Sequence, residues 1–181
     1  MLLTVGHGTT QQDEFAERLL DAEVAALVDV RIGPGSRRNP QFGRPELERW
    51  LPERGIAYRW DKRLGGFRKL ADDSPDVGLR NDSFRAYAGY MRTENFAEAV
   101  ADLVAQARAE RTAIMCGESV WWRCHRRLIA DHAVLLDDLA VEHLMPDGRR
   151  TPHPVTDAAR VAGRELIYDQ VPGQPSAADP G

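Results

Sequence analysis

Disulfide frameworks, membrane spans and the common nucleotide loops are all missing from this chain. It holds two cysteines among 181 residues. They lie close together after one apolar run, which does not fit a disulfide framework. No apolar run approaches the length of a membrane span, so no membrane partner is expected. The first twenty residues lack the basic start and long apolar core of a signal peptide, and a cytoplasmic, reduced protein is the expectation. There is no P-loop and no G-x-G-x-x-G, which argues against nucleoside triphosphate hydrolysis and ordinary dinucleotide binding. A Ser/His/Asp elbow and internal repeats are missing too.

What is present is an ordinary globular composition, 43% hydrophobic and 29% charged, at a length that suits one sizeable core. Charge is unevenly spread. From Arg31 to Lys69 eleven basic residues face four acids, a local balance of +7 on a chain whose total is −4. A basic segment on an acidic body points to a local anionic partner, and its plain alternative is a solvated face.

Short apolar, β-branched runs alternate with segments of helical period. Leu2 to Val5, Ala25 to Val30, Ile56 to Trp60, Thr112 to Met115 and Val141 to Met145 read as strands. Helices are expected after Thr9 or Thr10, over Pro45 to Glu53, Ser83 to Met91 and Asn95 to Ala109, and from about Val120 to Asp137. Lys62 to Asp82 is long and irregular, which favours a functional loop. The expected fold is α/β, a Rossmann-like three-layer domain with a mainly parallel sheet of about five strands. It covers residues 1–145, followed by a partly ordered extension over 146–171 and a disordered tail over 172–181. In the extension, Pro146 to Val155 reads as turns, and Thr156 to Tyr168 as one more helix and a short extended piece.

Five blocks stand in order: Thr4-Val5-Gly6-His7; Val28-Asp29-Val30-Arg31; Ser36-Arg37-Arg38-Asn39-Pro40-Gln41-Phe42; Leu64-Gly65-Gly66; and Met115-Cys116-Gly117-Glu118 with Cys124-His125-Arg126-Arg127. Together they resemble the signature of domain-of-unknown-function family 488, over roughly Met1 to Met145. The resemblance implies a Rossmann-like three-layer domain and no established reaction, so chemistry must be argued from the residues.

In an open α/β sheet, loops after successive parallel strands gather on one edge, where ligands bind. That would bring together His7, the loop from Asp29 to Arg44 and the stretch from Cys116 to Arg127. Cys116, after a strand and before a helix, is the candidate nucleophile, because N–H groups and arginines favour thiolate. Six residues separate it from Arg123, one more than in phosphatase loops. The alternative is a buried small residue ending a strand. His7, Asp29 and Glu118 are candidate acid–base groups, or else a turn-stabilising ring and salt-bridge partners.

Arg31, Arg37, Arg38, Asn39, Arg123, His125 and Arg126 are candidate ligand-binding residues, since guanidinium forks suit phosphate or carboxylate. Arg123 and Arg126 would sit in the first turns of a helix, where the dipole disfavours cations, so they are expected to serve an anion and not stability. Cys124, at helical spacing with Trp121 and Leu128, is expected to fill the core. One of the adjacent Trp121 and Trp122 should face the core, and the other could stack a base. A metal site of Cys116, Cys124, His125 and His7 has a seven-residue gap unlike common zinc patterns. It would also need Cys124 and His125 to converge from one helix, so no metal is assigned.

The expected function is an enzyme that binds an anionic, phosphate- or nucleotide-like small molecule at the carboxyl edge of the sheet. Its reaction and cofactor are left open. Two alternatives stand beside it: a non-catalytic nucleic-acid-binding module using residues 31–69, and a Cys/His metal-binding protein.

Overall fold

The computed structural model describes residues 1–35 and 37–170. The tail expected over 172–181 lies outside the described residues. Strand β1 (Leu2–Gly6) leads into helix α1 (Gln12–Asp21), β2 (Ala26–Asp29), α2 (Arg44–Glu53) and β3 (Ala57–Trp60). Helices α3 (Asp82–Met91) and α4 (Glu94–Ala109) precede β4 (Thr112–Cys116). Then come α5 (Arg126–Leu135), β5 (Val141–Leu144), β6 (Arg150–Pro152), β7 (Arg160–Ala162) and β8 (Glu165–Ile167).

The main sheet has the order β3-β2-β4-β1-β5-β6. Its first five strands are parallel, and β6 joins antiparallel to β5. The domain is therefore Rossmann-like, with six strands in place of about five. Two apolar layers sandwich the sheet. Phe15, Leu19, Leu47 and Trp50 from α1 and α2 meet Leu3, Val5, Leu27 and Met115 on one face. On the other, Tyr87, Phe96, Leu103 and Leu128 from α3, α4 and α5 meet Leu2, Val28 and Ile114.

This layering decides where the site lies. The chain leaves β1 and β2 toward the α1/α2 layer, and leaves β4, which lies between them, toward the α5 layer. Neighbouring strands whose loops part to opposite faces open a crevice at their carboxyl ends.

Two expectations fail in the C-terminal half. The helix expected from Val120 begins at Arg126. Before it, Trp121–Arg123 makes a single tight turn and Cys124 is extended, at φ −128° and ψ 150°. In the extension there is no helix over 156–168: β7 and β8 form a hairpin, and β6 lengthens the sheet. The extension is also part of the core, with Tyr168 and Leu166 buried against the α3 and α5 layer. On α1, the cap position is Gln11, without a side-chain cap, and neither threonine takes that role.

A buried polar chain ties the extension to the sheet. The Asp131 carboxylate accepts the Thr156 N–H at 2.9 Å and the Tyr168 hydroxyl at 3.0 Å. His153 Nε2 lies 2.8 Å from the same carboxylate and so donates to it. His153 Nδ1 then accepts from His143 Nε2 at 2.9 Å, and His143 Nδ1 accepts the Thr4 hydroxyl at 2.7 Å. Every member has one consistent tautomer. Trp121 covers the chain, stacked on His143 at 4.0 Å, while Trp122 is exposed.

Candidate functional site

Gly6 pairs with Cys116 across β1 and β4, which sets the loops after these strands side by side. The pairing continues into the loops, with His7 N–H donating to Cys116 O and Gly8 N–H to Gly117 O. The approach is close: a Cβ on Gly6 would lie 2.0 Å from Glu118 O, and one on Gly8 2.1 Å from Ser119 Oγ. Small residues around His7 are thus what lets the 116–119 loop lie over it.

Arg31 is buried and held by the end of its own strand and by the neighbouring loops. Its Nε donates to Asp29 Oδ1 at 2.8 Å, and Nη2 donates to Asp29 Oδ2 and to Phe42 O. Tyr58 hydroxyl donates to the same carboxylate at 2.9 Å. His7 stacks on Phe42 at 4.3 Å, donates from Nδ1 to Gly8 O at 2.9 Å and faces Arg31 Nη1 with Nε2 at 3.3 Å. Burial, with Arg31 nearby, lowers its pKa from 6.5 to about 4, against the pull of the Gly8 carbonyl. His7 is a neutral ring at pH 7, and its geometry is that of a group holding Arg31 in place.

Cys116, Cys124 and His125 converge, their sulfur and nitrogen atoms all within 4.8 Å of one another. Cys124 does not sit on a helix at all; the turn at Trp121–Arg123 returns it to the end of β4. The two thiols are hydrogen-bonded to each other. A hydrogen bond to Cys124, then burial, pushes the Cys116 thiol up. That bond pulls Cys124 down despite burial, helped by His125 and Arg126. His125 donates from Nε2 to Val30 O at 3.0 Å, which leaves Nδ1 facing Cys124 Sγ at 3.6 Å.

Arg126 is 1% exposed. Its Nε donates to Cys124 Sγ at 3.4 Å and its Nη2 to Glu118 O, and among the described residues it has no ion-pair partner. It follows that Arg126 closes the 116–126 loop, contrary to the expectation that it serves only a ligand.

The crevice above these groups is a cleft of about 470 Å³, bordered by Arg31, Cys116, Glu118, Arg123, Cys124 and His125, with Phe67, Phe84 and Tyr87 as an aromatic wall. Phe67 is 89% exposed at its lip. The Arg123 guanidinium is exposed there and has no hydrogen-bond or ion-pair partner among the described residues. Arg37 and Arg38 are exposed, and neither they nor Asn39 line the cleft.

Family comparison matches residues 11–133 to a model described as a domain of unknown function, DUF488. The chain belongs to that family. The DUF488 match includes Asp29, Arg31, Cys116, Glu118, Cys124, His125 and Arg126, and it begins after His7. Comparison with curated proteins and with solved structures brings no match to the chain.

Reading the DUF488 chain as sequence finds His7, Asp29, Arg31 and Cys116 at one edge. It misses Cys124 as the partner of Cys116, since helical spacing hides a turn. It also misses Tyr58 and the aromatic wall. The Gly65-Gly66 pair and the length of the 62–82 loop were the available signals for that wall.

Proposed function

We propose that this protein is an enzyme that seats an anionic, phosphate- or nucleotide-like small molecule in the carboxyl-edge cleft and presents its reacting end to the Cys116–Cys124–His125 centre. The observation that carries this is Arg126. A guanidinium buried without a carboxylate is costly unless an anion compensates. Here it lies against a sulfur at the cleft floor, so the floor favours negative charge, whether on sulfur or on a ligand. Arg123 supplies a second cation at the lip, and Phe67, Phe84 and Tyr87 supply a surface for a planar group. Asp29 and His7 position Arg31, and Glu118, exposed at the cleft, is the group free to move a proton.

The nucleic-acid module gains less support. Within 31–69, Arg31, Arg44, Arg49, Arg54, Arg59 and Arg63 are each paired to an acid. Three of the partners, Asp29, Asp13 and Asp102, lie outside the segment, so pairing lowers its local charge from +7 to +4 (7 − 3).

Binding of sulfate, inorganic phosphate and a nucleotide panel, measured calorimetrically, tests the proposal. Arg123→Gln should weaken the tightest binder by about 1.5–3 kcal/mol per lost charged hydrogen bond. The bound anion should slow alkylation of Cys116. Unchanged affinity together with unchanged labelling would remove the cleft from the reading. A steep fall of affinity with salt for long nucleic acids, against a shallow one for the small anion, would favour the module instead.

A further inference from the structure

We infer that Cys116, Cys124 and His125 form a three-ligand site for a zinc-class divalent metal, with the fourth position open to the cleft. The inference rests on reading this cluster as the reacting centre, and it names what that centre holds.

Geometry carries it. Zinc bonds of about 2.3 Å to sulfur and 2.0–2.1 Å to nitrogen, at tetrahedral angles, set ligand atoms roughly 3.6 Å apart. Cys124 Sγ and His125 Nδ1 stand at 3.6 Å, and the third ligand atom lies within 4.8 Å of both. Two consecutive residues on a helix could not both reach one point. These can, because extended Cys124 is followed by His125 at φ −59° and ψ −16°.

The surroundings agree. His125 gives its other ring N–H to Val30 O, the arrangement that fixes the tautomer and orientation of metal-bound imidazoles. Arg126 gives an N–H to Cys124 Sγ, as outer partners of ligating sulfurs do. Cys124 is buried while Cys116 and His125 are half-buried, so the open side faces the cleft. Two sulfurs and an imidazole suit zinc over magnesium or calcium. Three protein ligands with one free position is the catalytic pattern. On binding, the thiol protons leave to solvent, two thiolates offset the dication, and the charge of Arg126 is left for the anion.

The full chain, reduced, stripped with a chelator and dialysed against zinc, tests this with nothing in the cleft. The expected result is one zinc per chain by mass spectrometry. Cobalt(II) should give a thiolate charge-transfer band in the near ultraviolet. Cys116→Ser and His125→Gln should each lose at least about tenfold in zinc affinity while keeping the wild-type circular dichroism. Cys124→Ser also removes a partner of Arg126, so the other two variants decide.

Absence of retained zinc and of the cobalt band, with both thiols reacting at the same rate with and without zinc, would overturn the inference. So would affinity unchanged in both variants. Anion binding by the metal-free protein that depends on Arg123 would leave the proposed function standing if the metal site fell.

Discussion

At the scale of single residues, the two arginines near the start of α5 part company. Sequence places both Arg123 and Arg126 in a helical first turn and gives both the same role. The structure leaves Arg123 exposed and unpaired, and buries Arg126 as the tie between Cys124 and Glu118. Arg123→Gln should therefore shift stability by less than about 0.5 kcal/mol. Arg126→Gln should cost about 1–3 kcal/mol, because the Glu118 carbonyl and the Cys124 sulfur lose their donor. Urea unfolding of the two variants beside the parent checks the contrast, and equal midpoints would return Arg126 to the ligand alone.

The buried histidines make a prediction of defined sign. Burial lowers His7 from 6.5 to about 4. Burial, with His153 and Arg126 nearby, lowers His143 from 6.5 to about 3. Below pH 6.5 the unfolded chain takes up these protons and the folded chain does not. Their contribution is thus complete above pH 6.5 and is lost as pH falls toward 4 and then 3. Each ring can add at most about 1.4 kcal/mol per pH unit. The urea midpoint should drop steadily from pH 6.5 to 4.5, and His7→Gln should flatten that slope. A midpoint independent of pH in that window would mean that both rings protonate as readily folded as unfolded.

At the scale of elements, the legible parts are those whose signal is local. Apolar runs at Leu2 to Val5 and Thr112 to Met115 mark strands because both faces of a central parallel strand are buried. The turn at Trp121–Arg123 is not legible, since Trp121, Cys124 and Leu128 keep a helical spacing that tertiary contacts override. Trp121 stacks on His143, and Arg126 bonds back to Glu118, so the chain gains more from closing the loop than from another turn of helix. The antiparallel β6 and the β7–β8 hairpin are short and half-exposed, too brief to leave a period. The loop after β1 has a sharper consequence. Gly6→Ala would put a methyl 2.0 Å from Glu118 O, against backbone that cannot swing aside. The cost should reach about 1–3 kcal/mol or more. Gly55, at φ +76° with open space around it, should lose only about 1 kcal/mol on the same change, from backbone strain alone. Thermal melts of the two alanine variants give the comparison.

At the scale of the whole molecule, charge is arranged by pairing more than by separation. Arg54 reaches Asp13 from α2 to α1, and Arg63 reaches Asp102 on α4, so the basic segment is stitched to the acidic body. High salt should therefore loosen these exposed pairs only slightly, each being worth about 0–1 kcal/mol.

The chain from Thr4 to Asp131 bears on what counts as a module. The stretch that the family model matches, 11–133, starts after the strand at the centre of the sheet and stops inside α5. A fragment trimmed to it would lack β1 altogether. Even a fragment ending at Met145 would strand the Asp131 carboxylate in an apolar interior, deprived of Thr156, His153 and Tyr168 together. The matched stretch and the unit that packs as one core have different edges here. Any dissection of this protein, for expression or for fusion, has to keep residues up to Tyr168 with the first strand.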